Sequence, residues 1–277
     1  MLGRPPHRDR LNLMRQIIVI GIGAGDPEQV TMQAVSALNR VDVFFVLDKG
    51  SVKQELTDLR QEILDRYVRD RTYRTVWGRD PDRDRTAAAY TEAVDDWRRR
   101  RADVCAELIA ANLGEDETGA FLVWGDPALY DSTPAILADV LARGGVSFAV
   151  EIVPGISSVS ALAARHGTGL NQVGGAVQIT TGRRLAQGWP AGVDDVVVML
   201  DSRSAFADVA EPDAEIFWGA YLGMPDEILV SGPVTEVAER IVALRAEARR
   251  RKGWIMDTYL LRRPEKHDPL TSGDVPT

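Results

Sequence analysis

Cysteine is almost absent from this chain of 277 residues: Cys105 stands alone. No internal disulfide can form, and a reducing compartment, the cytoplasm, is expected. Cys105 sits in an Ala-rich helical stretch and reads as core rather than as a nucleophile. Histidine is nearly as scarce. Of the three, His7 and His267 lie in terminal tails, so no His/Cys metal cluster can be assembled and no metal is expected. No apolar run approaches the roughly 20 residues of a membrane span. Residues 1–13 are basic, contain Pro5-Pro6 and lack the apolar core of a signal peptide; with residues 264–277 they are expected to be flexible tails. An excess of basic charge is missing too. The formal net charge is −8, which argues against a nucleic-acid partner.

What is present is enough apolar sequence, 45%, for substantial cores, in a length that fits one large domain or two ordinary ones. Apolar strand patterns at 16–22, 41–47, 74–77, 121–124 and 146–152 alternate with helical spacing at 28–38, 53–67, 86–112 and 132–142. Such alternation predicts an α/β domain with a mostly parallel sheet, placed at 14–153. After Val153-Pro154-Gly155 the pattern changes. Strands at 176–180, 196–200, 215–220, 227–231 and 254–261 outnumber helices at 157–165, 204–209 and 234–250, which predicts a second α/β domain, 154–263, with a mixed sheet.

Charge is unevenly distributed. Arginines crowd residues 69–85, and Trp97-Arg-Arg-Arg-Arg101 adds four more. The plain reading is a solvated helix face and loop. The sharper one is a rim that collects the carboxylates of an anionic substrate.

Gly-Asp-Pro occurs twice, each time where a buried strand stops. The first copy, Gly25-Asp26-Pro27, closes the run Gly21-Ile-Gly23-Ala-Gly25. That run resembles a dinucleotide fingerprint, but the third glycine position holds Asp26, whose carboxylate would repel a pyrophosphate. The second copy lies in Trp124-Gly125-Asp126-Pro127-Ala-Leu-Tyr130. Its plain reading is an Asx turn capping the helix near Ser132. A third element, Val153-Pro154-Gly155-Ile156-Ser157-Ser158, delivers two hydroxyls to a helix start, where Ser157 is either an N-cap or a ligand donor.

Taken in order, these three elements resemble the tetrapyrrole (corrin and porphyrin) methylase family over residues 14–263. The resemblance implies S-adenosylmethionine as methyl donor, S-adenosylhomocysteine as product, and two α/β domains with a cofactor cleft between them, usually in a homodimer. This tetrapyrrole methylase fold differs from the commoner Rossmann-type methyltransferases. The segments Phe44-Phe-Val-Leu-Asp48-Lys49-Gly50, Thr180-Thr-Gly-Arg-Arg184, Trp218-Gly-Ala-Tyr-Leu-Gly223-Met-Pro-Asp-Glu227 and Trp254-Ile-Met-Asp-Thr-Tyr-Leu-Leu261 look like the deacetylating branch of aerobic cobalamin synthesis. That branch methylates C-1 of precorrin-5 and releases the C-20 acetyl group as acetate, giving precorrin-6A.

Carried onto this chain, the resemblance assigns the cofactor to Trp124, Gly125, Asp126, Pro127 and Tyr130, to Ser157 and Ser158, to Met199 and Leu200, and to Tyr221 and Leu222. Pro27 would line the substrate trough. The sulfonium already activates the methyl group, so no protein nucleophile is required and alignment is the main task. Loss of the acetyl group by attack of water needs a base or an ordered water. Asp48 is the first candidate, against a turn-capping role, and Tyr130 the second. His166 titrates in a suitable range but sits beside Gly167, where a helix cap is the plainer role. Arg183 and Arg184 are the foremost candidates for substrate carboxylates, followed by Arg79, Arg83 and Arg85. The alternatives are a family member acting on protein or RNA, a non-catalytic binder of cofactor or tetrapyrrole, and a dinucleotide-dependent oxidoreductase.

Overall fold

The computed structural model describes residues 14–48, 54–69, 71–82, 90–209, 211 and 213–264. Residues 1–13 and 265–277, Lys49-Gly50, Lys53, and the stretch 83–89 with Arg83 and Arg85 lie outside the described residues, and the expectations placed there rest on sequence alone. The chain divides into two compact units, Met1–Ser157 and Ser158–Thr277.

In the N-terminal unit five strands form one sheet: β1 (Gln16–Gly21), β2 (Val43–Asp48), β3 (Arg74–Arg79), β4 (Thr118–Val123) and β5 (Ala149–Val153), in the order β3-β2-β4-β1-β5. Every pairing is parallel. A central strand of a parallel sheet is covered on both faces, which is why Ile17 to Ile20 of β1 is an unbroken apolar run with no exposed residue. Its side chains divide by period two. Ile17 and Val19 join Phe45 and Phe121 under α3 (Tyr90–Asn112) and α4 (Thr133–Ala142). Ile18 and Ile20 join Phe44 and Leu122 under α1 (Met32–Leu38) and α2 (Gln54–Tyr67). The chain therefore leaves β1 over one face and its neighbour β4 over the other. In open α/β sheets the crevice for a ligand opens at such a divergence, outside the carboxyl ends of the strands.

The C-terminal unit holds β6 (Val177–Thr181), β7 (Asp195–Met199), β8 (Glu215–Ala220), β9 (Ile228–Pro233) and β10 (Asp257–Arg262), ordered β6-β7-β10-β8-β9. Only β6 and β7 run parallel; the other pairs are antiparallel. The expected mixed sheet is present. Its helices are α5 (Ser158–His166), α6 (Gly182–Leu185), α7 (Phe206–Val209) and α8 (Val234–Lys252). α8 closes at Gly253 in the left-handed conformation, with Arg249 to Lys252 complementing its carbonyl end.

Some element expectations are corrected. The helix expected over 28–38 is interrupted: Pro27–Gln29 is a single tight turn, and Thr31 restarts the helix by accepting the Ala34 amide at 3.0 Å. The strand expected from Trp254 begins only at Asp257, because the Trp254 and Met256 carbonyls are bonded to the hydroxyl and amide of Tyr221. The short helix α6 had no expected counterpart. Cys105 is buried on α3 as anticipated, and burial pushes its thiol up to about 11, away from nucleophilic reactivity.

Candidate functional site

At the carboxyl edge of the parallel sheet the two Gly-Asp-Pro turns are near copies. The Asp26 carboxylate accepts the Glu28 amide at 2.8 Å, and the Asp26 carbonyl accepts that of Gln29 at 2.9 Å. Likewise Asp126 accepts Ala128 through its carboxylate at 2.9 Å and Leu129 through its carbonyl at 3.0 Å. Each is an Asx turn, with proline presetting the backbone angle. Asp126 does not cap α4; there Asp131 accepts the Thr133 amide at 2.7 Å, and Ser132 makes no cap bond. The turns are joined as well, because the Gly125 amide donates to the Gly23 carbonyl at 2.8 Å.

Glycine is required here by contact. A Cβ on Gly155 would stand 2.1 Å from the Gly125 carbonyl oxygen, and one on Gly21 would stand 2.6 Å from the Gly155 nitrogen. All these neighbours are backbone, so no side-chain rotation relieves the clash. The ends of β1, β4 and β5 thus meet through three glycines, one from each sequence element.

Asp48 ends β2 at the same edge, exposed, and its carbonyl accepts the Asp80 amide at 3.0 Å. Asp80 in turn faces Arg101 at 3.1 Å, with side-chain exposures of 7% and 12%, and Arg101 donates to the Ser132 hydroxyl at 3.1 Å. A chain of polar contacts therefore ties Asp48 to the loop carrying Tyr130. Arg60 of α2 lies nearby, donating to the Leu122 carbonyl at 3.3 Å; burial, reinforced by Arg101 and opposed by Asp131, lowers its affinity for a proton. Pro27 opens its turn, and its carbonyl accepts the Tyr67 hydroxyl at 3.0 Å. Trp124 packs partly buried against the core, while Tyr130 is 47% exposed with its phenol raised by burial, and so is protonated at neutral pH.

In the C-terminal unit the predicted residues gather at one sheet edge. Met199 pairs with Thr258 on one side and Thr181 on the other, and the Ser158 hydroxyl shares a 3.2 Å hydrogen bond with that of Thr258. Ser157, the last residue of the N-terminal unit, is buried and immediately precedes α5. Arg183 and Arg184 are exposed on α6, two and three residues beyond Thr181. Leu200 is 67% exposed although apolar. Tyr221 and Leu222 follow β8 and are buried; the Tyr221 hydroxyl donates to the Trp254 carbonyl at 2.7 Å, so its phenol is committed to the interior.

Backbone strain singles out the same places. Among the described residues four non-glycines have positive φ: Tyr130 (53°), Leu200 (54°), Ser204 (60°) and Tyr221 (52°). Such conformations are uncommon outside glycine and gather at ligand clamps. Three of the four are residues the sequence had put forward.

Residues 16–238 match the sequence model of the Tetrapyrrole (Corrin/Porphyrin) Methylases. The chain belongs to this family. A relative from Sinorhizobium sp, named precorrin-6A synthase [deacetylating], is 51% identical over 92% of this chain and 98% of its own length. The crystal structure of a cobalamin synthesis related protein (CobF) from Corynebacterium diphtheriae covers 91% of this chain and 100% of its own, with a TM-score of 0.76 at 38% identity. The uroporphyrin-III C-methyl transferase from Thermus thermophilus, solved with S-adenyl homocysteine, shares the fold at a TM-score of 0.55 and 18% identity, covering 89% of this chain and 92% of its own. The chain is thus an α/β protein of the tetrapyrrole methylase fold, and no described helix is long and apolar enough to cross a membrane.

Other expectations meet the structure differently. His166 bonds the Trp218 carbonyl at 3.1 Å and packs edge-on to Phe217, while Gly167 supplies the left-handed helix end. Burial lowers the His166 pKa, which favours the neutral ring. Most described members of the arginine runs pair with surface carboxylates: Arg71 with Asp42, Arg74 with Glu117, Arg79 with Asp82, Arg100 with Asp96. That is the solvated-face reading; Arg101 is the exception. Sequence reasoning passed over Arg60, Asp80, Arg101 and Asp201. A signal existed for Arg101, which shares a helical stripe, four residues apart, with Trp97 and buried Cys105 and Ile109.

Proposed function

We propose that the chain is an S-adenosylmethionine-dependent C-methyltransferase of corrin-ring synthesis. It methylates precorrin-5 at C-1 and releases the C-20 acetyl group as acetate, giving precorrin-6A. The observation that carries this reading is the 51% identity, nearly end to end, to a protein named precorrin-6A synthase [deacetylating]. When bound, the cofactor supplies an activated methyl group; the protein's part is alignment, exclusion of water and proton control.

The residues present fit that part. In the N-terminal unit the turn Trp124-Gly125-Asp126-Pro127, closed on itself by Asp126 and bridged to Gly23, offers a rigid backbone edge free of Cβ at Gly125. Tyr130 is assigned a donor role, since its raised phenol keeps its proton. In the C-terminal unit Leu200 offers an exposed apolar surface on a strained turn, next to Met199. Ser157, Ser158, Tyr221 and Leu222 complete the proposed cofactor set. Pro27 and Asp48 on the one unit and Arg183 and Arg184 on the other are assigned to substrate. Asp48 orients or deprotonates the water that attacks the acetyl carbonyl. A homodimer and a cytoplasmic location belong to the same proposal. The exposed Val150 and Ile152 of edge strand β5 support the first, and the lone buried Cys105 supports the second. The domain limits 14–153 and 154–263 are kept as part of it.

Incubation with precorrin-5 and S-adenosylmethionine tests the proposal. Acetate and S-adenosylhomocysteine should appear one to one. Methyl transfer without acetate would remove the deacetylating assignment and leave family membership intact. Sedimentation equilibrium at twice the chain mass of 30.4 kDa is expected for the dimer.

A further inference from the structure

Asp201 follows the strained Leu200 directly and is 5% exposed. Its carboxylate accepts the Arg203 amide at 2.8 Å through Oδ1, and the Ala205 amide at 2.7 Å and the Tyr259 hydroxyl at 2.6 Å through Oδ2. Burial and the adjacent carboxylates Asp201 and Asp257 push the Tyr259 phenol far up, so it remains a donor. The Asp201 carbonyl accepts Arg245 at 2.5 Å, and Arg245 is anchored to buried Asp257 at 2.9 Å. The carboxylate also lies against Gly182, the first residue of α6: a Cβ there would stand 2.3 Å from the Asp201 Cγ.

One side chain therefore touches two elements. It bonds the loop that runs from Leu200 to Ala205, including left-handed Ser204, and it seats the start of the helix that carries Arg183 and Arg184. Left-handed conformations at Leu200 and Ser204 persist only where surrounding contacts over-determine them. A carboxylate with three charge-assisted or short hydrogen bonds is such a contact.

We propose that Asp201 is a positioning residue, holding the Leu200 turn and the Arg183-Arg184 helix in the one arrangement that receives ligand. The proposal rests on the reading that Leu200 meets the cofactor and that the two arginines meet substrate carboxylates. Its chemistry predicts a joint effect, because a single displaced carboxylate disturbs both elements.

The test uses the full chain and three variants. Asp201→Asn keeps shape but leaves one accepting oxygen, which cannot serve both the Arg203 amide on one side and the Ala205 amide with Tyr259 on the other. Gly182→Ala forces the carboxylate off its seat without altering Asp201, and Tyr259→Phe removes one bond of three. Each is measured by near-ultraviolet circular dichroism for folding, by calorimetry with S-adenosylhomocysteine, and by KM and kcat with precorrin-5. Expected for folded Asp201→Asn and Gly182→Ala is an affinity for S-adenosylhomocysteine weaker by about tenfold. KM for precorrin-5 should rise in the same variants, with kcat at saturation much less changed. Tyr259→Phe should show the same pattern, weaker by about two- to threefold. A merely structural role lowers thermal stability but leaves both constants of the folded protein at wild-type values, and that result in any two folded variants overturns the proposal. If Asp201→Asn does not fold, wild-type constants in the other two overturn it equally. Failure of the wild-type chain to bind S-adenosylhomocysteine would instead count against the reading on which it rests.

Discussion

The two units hold strained turns in opposite ways. At the carboxyl edge of the parallel sheet, Gly21 and Gly155 have no side chain to place, and backbone, including the Gly125 carbonyl, packs on them at distances that exclude a Cβ. At the edge of the mixed sheet, the Leu200 and Ser204 turn carries ordinary side chains in a left-handed conformation, and a buried acid, phenol and guanidinium hold it there. The first solution is steric and indifferent to charge. The second is electrostatic and demands that every buried partner be satisfied. One edge should therefore fail through added volume, the other through removed charge.

The largest effect is expected on the electrostatic side. Arg245→Met leaves Asp257 buried without its cation, at side-chain exposures of 11% and 6% for the pair. Burial already raises the Asp257 pKa against the opposing pull of Arg245. Loss of one partner of a buried pair costs about 3–5 kcal/mol, read as a lower urea midpoint. Gly155→Ala is the steric counterpart. Overpacking costs about 1–3 kcal/mol, and the upper end is expected because the obstructing atom, the Gly125 carbonyl oxygen, belongs to backbone. If Gly155→Ala is tolerated at wild-type stability, the steric half of the contrast fails.

Much of the fold was legible because its signals are local and redundant. An apolar run buried on both faces, as in Ile17 to Ile20, reads as a parallel strand whatever surrounds it. The glycine-rich edge was legible for the same reason: Gly21, Gly125 and Gly155 sit in recognisable turn sequences. The polar edge was not. Asp201 looks like any loop aspartate, and its meaning comes from Tyr259, 58 residues on, and Arg245, 44 residues on. Arg101 was hidden differently, inside a run in which Arg99 and Arg100 face solvent. Only its helical register with Trp97 and Cys105 separates it from them. Long-range pairing of polar groups leaves no periodic trace, whereas burial of apolar ones does.

A third prediction sharpens the contrast at Leu200, the residue proposed to face the cofactor. Leu200→Gly relieves a left-handed leucine, worth about 1–2 kcal/mol, while adding about 1 kcal/mol of chain entropy to the unfolded state. Stability should move by less than about 1 kcal/mol. Affinity for S-adenosylhomocysteine should fall by about tenfold, because the exposed apolar surface is gone. Unchanged calorimetric affinity would separate the strain at Leu200 from ligand binding.

The smallest effect concerns pH. Lys252 donates to Asp226 at 2.5 Å and lies 5.1 Å from the Tyr221 ring and 5.8 Å from that of Trp254. Its hydrogen bond lowers the Asp226 carboxyl below the usual range. A group whose folded pKa is depressed contributes stability above its unfolded pKa, and that contribution is lost as pH falls through the folded value. The window lies below about pH 4. With Asp226 39% exposed, solvent screening keeps the effect under about 0.5 kcal/mol. Thermal midpoints of wild type and Asp226→Asn should therefore differ slightly at neutral pH and converge in acid.

The bond from the Gly125 amide to the Gly23 carbonyl has a further consequence. It continues a ladder in which the Ile22 amide already donates to the Val123 carbonyl at 3.0 Å, so two loops a hundred residues apart in sequence share one row of protected hydrogens. They are expected to open to solvent as a single cooperative unit. A molecule seated on the later loop is then expected to slow deuterium uptake at the Ile22 amide of the earlier one without touching it. The Ile22 amide, at the head of the loop that carries the earlier Gly-Asp-Pro, becomes a reporter of occupancy at the later copy.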